Sequence, residues 1–170
     1  LNPMYITDMP TMFDFYDGGI LDCVCVGAAQ IDPRGNVNVS KIGSRVVGVG
    51  GFVNLTMASR KVVFLTTFTE TKQLSVSYDD RKLKITSEGK IKKFINNIDQ
   101  ISFSGKIAIE EQREILYVTE RCVFRLTPEG LLLSEIAPGI DLQRDIFDQM
   151  EFRPAVAENI KEMSSDYFRI

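Results

Sequence analysis

The chain has 170 residues, 44% of them hydrophobic, and a formal net charge of −3. That length suits one domain, able to bury roughly two-thirds of the surface its unfolded chain exposes. The near-neutral charge gives no basis for nucleic-acid or membrane-surface binding, and no apolar run is long enough to span a bilayer or has the flanks of a secretion signal.

Histidine is absent and there are three cysteines. The usual general base, the Ser-His and Cys-His pairs and any His-containing zinc site are therefore excluded. An odd cysteine count argues against a disulfide framework. Cys23 and Cys25 lie in an apolar run and read as small core residues. A reducing, cytoplasmic compartment is expected. Chemistry must then come from carboxylates, lysines, tyrosines, thiols or backbone donors. The chain opens on Leu1, not methionine, which suggests a piece of something longer.

In chain order, residues 2–17 hold Pro3, Pro10 and several aromatics, and predict irregular chain packed on a core. Asp17-Gly18-Gly19 closes it with a turn. Leu21 to Ile31 is almost continuously apolar, which predicts a strand buried on both faces. Asp32-Pro33-Arg34-Gly35-Asn36 predicts a turn, and residues 36–42 alternate. After Gly48-Val49-Gly50-Gly51 comes a short helical segment in which Phe52 and Leu55, and Val53 and Met57, share faces. Val62-Val63-Phe64-Leu65 predicts the central strand. Strand, glycine turn, short helix and strand suggest an α/β core, where ligands often sit at strand ends beside helix starts.

Beyond Glu70 the pattern changes. Leu74, Val76 and Tyr78, then Leu83 and Ile85, predict a half-exposed hairpin turning at Asp79-Asp80. Residues 91–98 predict a short helix, with Lys90, Lys92 and Lys93 as a solvated group. Strands are expected over 101–103, 115–118 and 122–126, the last turning through Thr127-Pro128-Glu129-Gly130 into residues 131–136. Asp141 caps a predicted helix through Met150, with Leu142, Ile146 and Met150 on one stripe. Residues 154–170 predict a last amphipathic helix. The fold class expected is α/β: a mixed, largely parallel sheet with flanking helices and β-hairpin insertions.

The stretch Gly48 to Leu55 organises the rest. Glycine reaches backbone angles closed to other residues and lets a ligand approach the main chain. Free N–H groups at a helix start can point at an anion or a polarised carbonyl oxygen. A tight turn between two packed elements accounts for the same glycines. Gln30, Asn36 and Asn38, beside buried strands, read as partners for neighbouring backbone groups.

Taken together, Phe15-Tyr16-Asp17-Gly18-Gly19, Gly27-Ala28-Ala29-Gln30-Ile31-Asp32, Gly35-Asn36-Val37-Asn38-Val39-Ser40-Lys41 and Gly48-Val49-Gly50-Gly51-Phe52 resemble the C-terminal half of family I CoA-transferases. Thr119-Glu120-Arg121-Cys122-Val123-Phe124 and Glu135-Ile136-Ala137-Pro138-Gly139-Ile140-Asp141 extend the likeness over nearly the whole chain. The nearest likeness is to single-chain acetoacetate- or propionate-type enzymes. The resemblance implies a three-layer fold and a ping-pong transfer of CoA between short-chain or 3-oxo acyl-CoA and a free carboxylate. A glutamate attacks the thioester carbonyl, and a glutamyl-CoA thioester follows through a mixed anhydride. CoA is then a co-substrate, with no permanent cofactor and no metal.

By the same resemblance the nucleophilic glutamate lies in a Glu-x-Gly context shortly before the position of Leu1. Residues 1–170 then form a C-terminal domain, inactive alone, whose partner is the N-terminal half of the same enzyme, with a homo-oligomer expected of the intact protein. Gly51, with Gly50, matches the turn whose backbone N–H faces the thioester oxygen. A side chain at Gly51 is expected to displace the acyl group and leave folding nearly intact. Glu120 matches a glutamate near CoA or forms an ion pair with Arg121 or Arg125. Asn2 lies where more distant relatives carry a CoA-contacting asparagine, and Lys72 reaches CoA phosphates or is solvated. Tyr16 and Phe52 wall the acyl pocket or fill the core. The alternative function is a non-catalytic ligand-binding module of the same fold, since fold does not fix chemistry; a plain structural or assembly role is a third.

Overall fold

The computed structural model describes residues 2–169. The first half carries α1 (Met9–Asp17), β1 (Cys23–Gly27), and four two-residue strands: β2 (Gln30–Ile31), β3 (Val37–Asn38), β4 (Lys41–Ile42) and β5 (Arg45–Val46). Helix α2 (Phe52–Ala58), β6 (Lys61–Leu65) and the hairpin β7 (Ser75–Asp79) and β8 (Lys82–Ser87) follow. The second half carries α3 (Gly105–Glu110), β9 (Glu114–Val118), β10 (Cys122–Thr127), β11 (Gly130–Ile136) and β12 (Ala155–Glu162).

One six-stranded sheet, ordered β1-β6-β9-β10-β11-β12, organises the chain. β1, β6 and β9 run parallel, β9-β10-β11 form an antiparallel meander, and β12 returns parallel to β11. Side chains alternate across a strand, so the sheet has two distinct faces. On one, Val24, Val62, Phe64, Ile115, Tyr117, Phe124 and Leu133 are buried. Helix α2 lays Phe52 over Phe64 with ring centroids 6.0 Å apart, while Tyr117 stacks at 5.2 Å and Phe103 meets Phe64 edge-on at 5.0 Å. The other face presents Cys23, Cys25, Val63, Leu65, Leu116 and Val118. None of these six belongs to the buried core.

The mixed, largely parallel sheet, the flanking helices and the hairpins agree with the expected fold class. Several elements differ. Residues 9–17 are helical, not irregular: the Asp8 carboxylate accepts from the Thr11 N–H at 3.0 Å, and Pro10 sits in the first turn, where its missing N–H costs nothing. The strand expected over 21–31 ends at Gly27 and lies at the sheet edge with one face covered. Cys23 and Cys25 are consequently exposed rather than core residues; Cys122 is buried.

Residues 91–98 are not helical but irregular, with isolated bridges at Lys92 and Phe94. The Ile31 N–H donates to the Lys93 carbonyl (2.8 Å) and the Ile95 N–H to the Ile31 carbonyl (2.9 Å). This alignment drives Phe94 between Phe68 (4.8 Å) and Phe124 (5.0 Å), a burial worth more than helix propensity. Residues 101–103 form only a two-way bridge between Phe103 and Val37, and α3 follows from a Ser104 cap. Asp141 caps as expected, but over a π-type turn, Leu142–Ile146, and a 3-10 turn, Phe147–Gln149. Residues 155–162 form strand β12 instead of a helix. The β11 edge offers a ladder of backbone partners, and Glu158, Lys161 and Glu162 on the new edge discourage further pairing.

Candidate functional site

β1, β6 and β9 are parallel and in register at Gly27, Leu65 and Val118. The segments leaving these strands therefore gather at one edge, the usual ligand side of an open parallel sheet. The Thr66 N–H donates to the Val118 carbonyl (3.1 Å), and the Thr66 hydroxyl to the Ala28 carbonyl (2.9 Å). Lys93 Nζ donates to the hydroxyls of Thr66 and Thr67, at 2.8 Å each. Burial lowers the Lys93 pKa from its ordinary value, partly offset by nearby Glu120 and Glu70. Among the described residues Lys93 forms no ion pair, and an ammonium has three N–H donors. The lysine group expected to be a solvated face is thus split: Lys92 binds the carbonyls of Asp148 and Met150, and Lys93 turns to the strand edge. Backbone paired at the Lys92 and Phe94 bridges sends neighbours to opposite sides, which the helical expectation concealed.

The glycine turn stands on a polar buttress. Both the Val47 and the Gly48 N–H donate to the Ser40 carbonyl, at 2.7 and 3.2 Å. The Ser40 hydroxyl contacts that of Ser102 at 2.9 Å. The Gly43 N–H donates to Asp99 Oδ2 (2.8 Å), which also accepts from Gln30 Nε2 (2.9 Å), while Asn38 Nδ2 donates to Gln30 Oε1 (2.6 Å). Asn36 Nδ2 donates to Asp32 Oδ2, and its Oδ1 accepts from the Gly105 N–H. All three amides do the structural work expected of them.

Gly48 and Gly50 have φ of +88° and +53°, with open space where a Cβ would stand. Such angles favour glycine. Gly51, the N-cap of α2, has φ −82°. Among the described residues, no carbonyl or side chain pairs with the N–H of Gly50 or Gly51. Gly50 is exposed and Gly51 half-buried. A Cβ on Gly51 would stand 2.6 Å from Phe13 Cζ, so a larger residue there requires the Phe13 ring to shift.

Glu120 sits at the same edge but is engaged. Its Oε2 accepts from the Phe68 N–H (2.9 Å) and its Oε1 from Arg121 Nε (2.8 Å). The ion-pair reading with Arg121 is the one realised; Arg125 is exposed and unpaired among the described residues. Asn2 is exposed and its side chain makes no hydrogen bond among the described residues. Lys72 is exposed on a turn without an ion pair. Neither is drawn to Glu120 or the glycine turn by a contact. Phe52 fills the core; Tyr16 packs edge-on against Phe13 at 5.7 Å, beside an apolar groove lined by Tyr5, Ile6, Met12 and Phe15. Among the described residues, no acidic or cysteine cluster could hold a metal ion, and no helix is long and apolar enough to cross a membrane.

Comparison with known proteins bears on this edge. The chain is 49% identical over 166 residues to caffeate CoA-transferase of Acetobacterium woodii, covering 95% of this chain and 31% of that protein. It is 44% identical over 168 residues to acetate CoA-transferase YdiF of Escherichia coli K12, covering 99% and 32%. Its homologues are CoA-transferases. The crystal structure of acyl-CoA transferase YdiF from E. coli O157:H7 superposes with a TM-score of 0.95 over 99% of this chain and 33% of that one. The same transferase is known as a thioester complex with CoA. The decarboxylase AibA/AibB shares the fold alone, at 19% identity and a TM-score of 0.69. No protein-family model matches the chain. The chain spans about a third of the length of the curated CoA-transferases it matches.

Proposed function

We propose that residues 1–170 form the C-terminal domain of an acyl-CoA:carboxylate CoA-transferase, active only with the remainder of the enzyme. The observation that carries this reading is the open glycine turn, with the unpaired N–H groups of Gly50 and Gly51, in a chain 49% and 44% identical to CoA-transferases. In the proposed ping-pong cycle a glutamate outside this chain attacks the thioester carbonyl, and the resulting oxyanion takes hydrogen bonds from the glycine turn. Expulsion of CoA thiolate leaves a mixed anhydride; the thiolate then attacks its glutamyl carbonyl, releasing the first carboxylate and leaving a glutamyl-CoA thioester, and an incoming short-chain acid or 3-oxoacid carboxylate runs the sequence in reverse. CoA enters and leaves as a co-substrate. Glu120, Lys72 and Asn2 are the residues proposed for CoA contact. Lys93 is added as a cation at the strand edge with a donor to spare.

Full-length protein given an acyl-CoA and a second carboxylate is expected to exchange CoA, with a thioester on a glutamate trapped by hydroxylamine in single-turnover conditions. Lys93→Met should lower kcat/KM ten- to hundredfold, the range of a charged hydrogen bond of about 1.5–3 kcal/mol. Its thermal stability should hold, because the substitution also removes a charge that burial disfavours. CoA binding without exchange would assign the chain to a binding module instead.

A further inference from the structure

We infer that Arg113 is a positioning residue for the glycine turn: its guanidinium holds the far end of α2, and α2 carries Gly51 at its start. The inference rests on the reading of Gly50 and Gly51 as donors to the thioester oxygen. A helix leaves its last four carbonyls without partners inside it. In α2 the Leu55 carbonyl accepts from the Ser59 hydroxyl at 2.9 Å. The Thr56 and Met57 carbonyls both accept from Arg113 Nη1, the latter at 3.2 Å. The Gly51 end has no side-chain cap, so side-chain hydrogen bonds grip the helix at one end only. That grip is anchored in the sheet. Arg113 immediately precedes β9, the strand between β6 and β10, and the Glu114 N–H donates to the Arg60 carbonyl at 3.0 Å. The Arg113 side chain is 7% exposed; its guanidinium lies 5.4 Å from the centroid of the Phe103 ring, and its Nε faces Glu111 at 3.0 Å. Nη2 is buried with no hydrogen bond among the described residues. A buried guanidinium left short of partners is a costly way to fill space. What it supplies is two donors of one nitrogen on two successive carbonyls. The Thr56 hydroxyl, bonded to the Phe52 carbonyl at 2.8 Å, ties the turns of α2 together. The helix is only about 10 Å long, so a displaced C-terminal end re-aims the Gly51 N–H.

The test is made on the full-length protein. Arg113→Met should lower kcat about ten- to hundredfold, as small misplacements remote from the reacting atoms do. KM for acyl-CoA should stay within about twofold, because the lost alignment matters in the transition state. Amide exchange across Phe52–Ala58, where the Leu55 N–H donates to the Gly51 carbonyl at 3.1 Å, should quicken at least about tenfold while β10 stays protected. Arg113→Lys keeps the charge without the planar donor geometry and should fall between the two, at least about threefold below wild type in kcat. It carries the test should Arg113→Met fail to fold. Wild-type kcat in a folded variant, or a loss lying wholly in KM, would overturn the inference. So would a lowered kcat with exchange in α2 unchanged. Quickened exchange in α2, in a protein whose wild type transfers no CoA, would leave the hold of Arg113 on the turn standing and sink the proposed function.

Discussion

Arg121→Met is expected to destabilise the fold by about 3–5 kcal/mol, the usual cost of removing one partner from a buried ion pair, read as a lowered denaturation midpoint. The Arg121 side chain is fully buried. Its Nη1 and Nη2 donate to Glu88 Oε2 and Oε1 at 2.9 and 3.1 Å, its Nε to Glu120 at 2.8 Å, and its Nη1 to the Asp145 carbonyl at 2.8 Å. The guanidinium also lies 4.8 Å from the centroid of the Phe68 ring. Methionine fills the volume but leaves two carboxylates facing each other. Burial by itself would raise the Glu88 pKa, but bonds from Arg121 and Thr69 outweigh it and hold the group below its ordinary 4.5. A depressed carboxylate stabilises the fold above its ordinary pKa and loses that contribution as pH falls through the folded value. The variant should therefore lose part of the wild-type decline in stability on the acid side. A midpoint shift under about 1 kcal/mol would mean that the network is solvated in solution.

Gly51→Val should lower CoA transfer by at least about a hundredfold, because the side chain pushes the acyl oxygen off the retained N–H, which is as costly as losing one oxyanion donor, and cost about 1–3 kcal/mol through overpacking. The two effects have different origins and can be separated. The stability cost comes from Phe13, whose Cζ and Cε1 lie 2.6 and 2.8 Å from the position of the new Cβ. Adding Phe13→Ala should return the stability and leave transfer lost. If the double variant transfers CoA normally, the glycine serves the α1–α2 contact alone and no acyl group packs against it.

The parallel core was legible because its signals are local and unambiguous. Val62 to Leu65 is apolar without interruption, and the glycine cluster before Phe52 marks a turn and a helix start on any reading. The hairpins were legible for the same reason: alternation and turn residues agree over Ser75–Ser87 and Cys122–Ile136. The misread segments are those where tertiary pairing outranks local pattern. Residues 91–98 and 155–162 have helix-compatible spacing, yet each is captured by the backbone of a distant segment, Ile31 and β11. Lys93 was hidden by that same error. The Glu120–Arg121 pair was visible as one of two options, but only burial could choose between Arg121 and Arg125. The exposure of Cys23 and Cys25 could not be read from composition, because an edge strand and a central strand can share one apolar run.

The strand order also dictates a sequence of assembly. The β9-β10-β11 meander closes through short connections, whereas β6 meets β9 only after the whole stretch from Thr66 to Arg113 has been looped out, and β1 must wait for β6. Loop closure of that length delays pairing. A ribosome releasing this chain has therefore made most of it before β9, the inner partner of β6, exists, and until then β1 is the one sheet neighbour β6 has. Pulsed hydrogen exchange during refolding should find Phe124 and Leu133 amides protected before Val24, and truncation after Val118 should leave β1 and β6 unprotected. Early protection at Val24 would show that the parallel strands pair first.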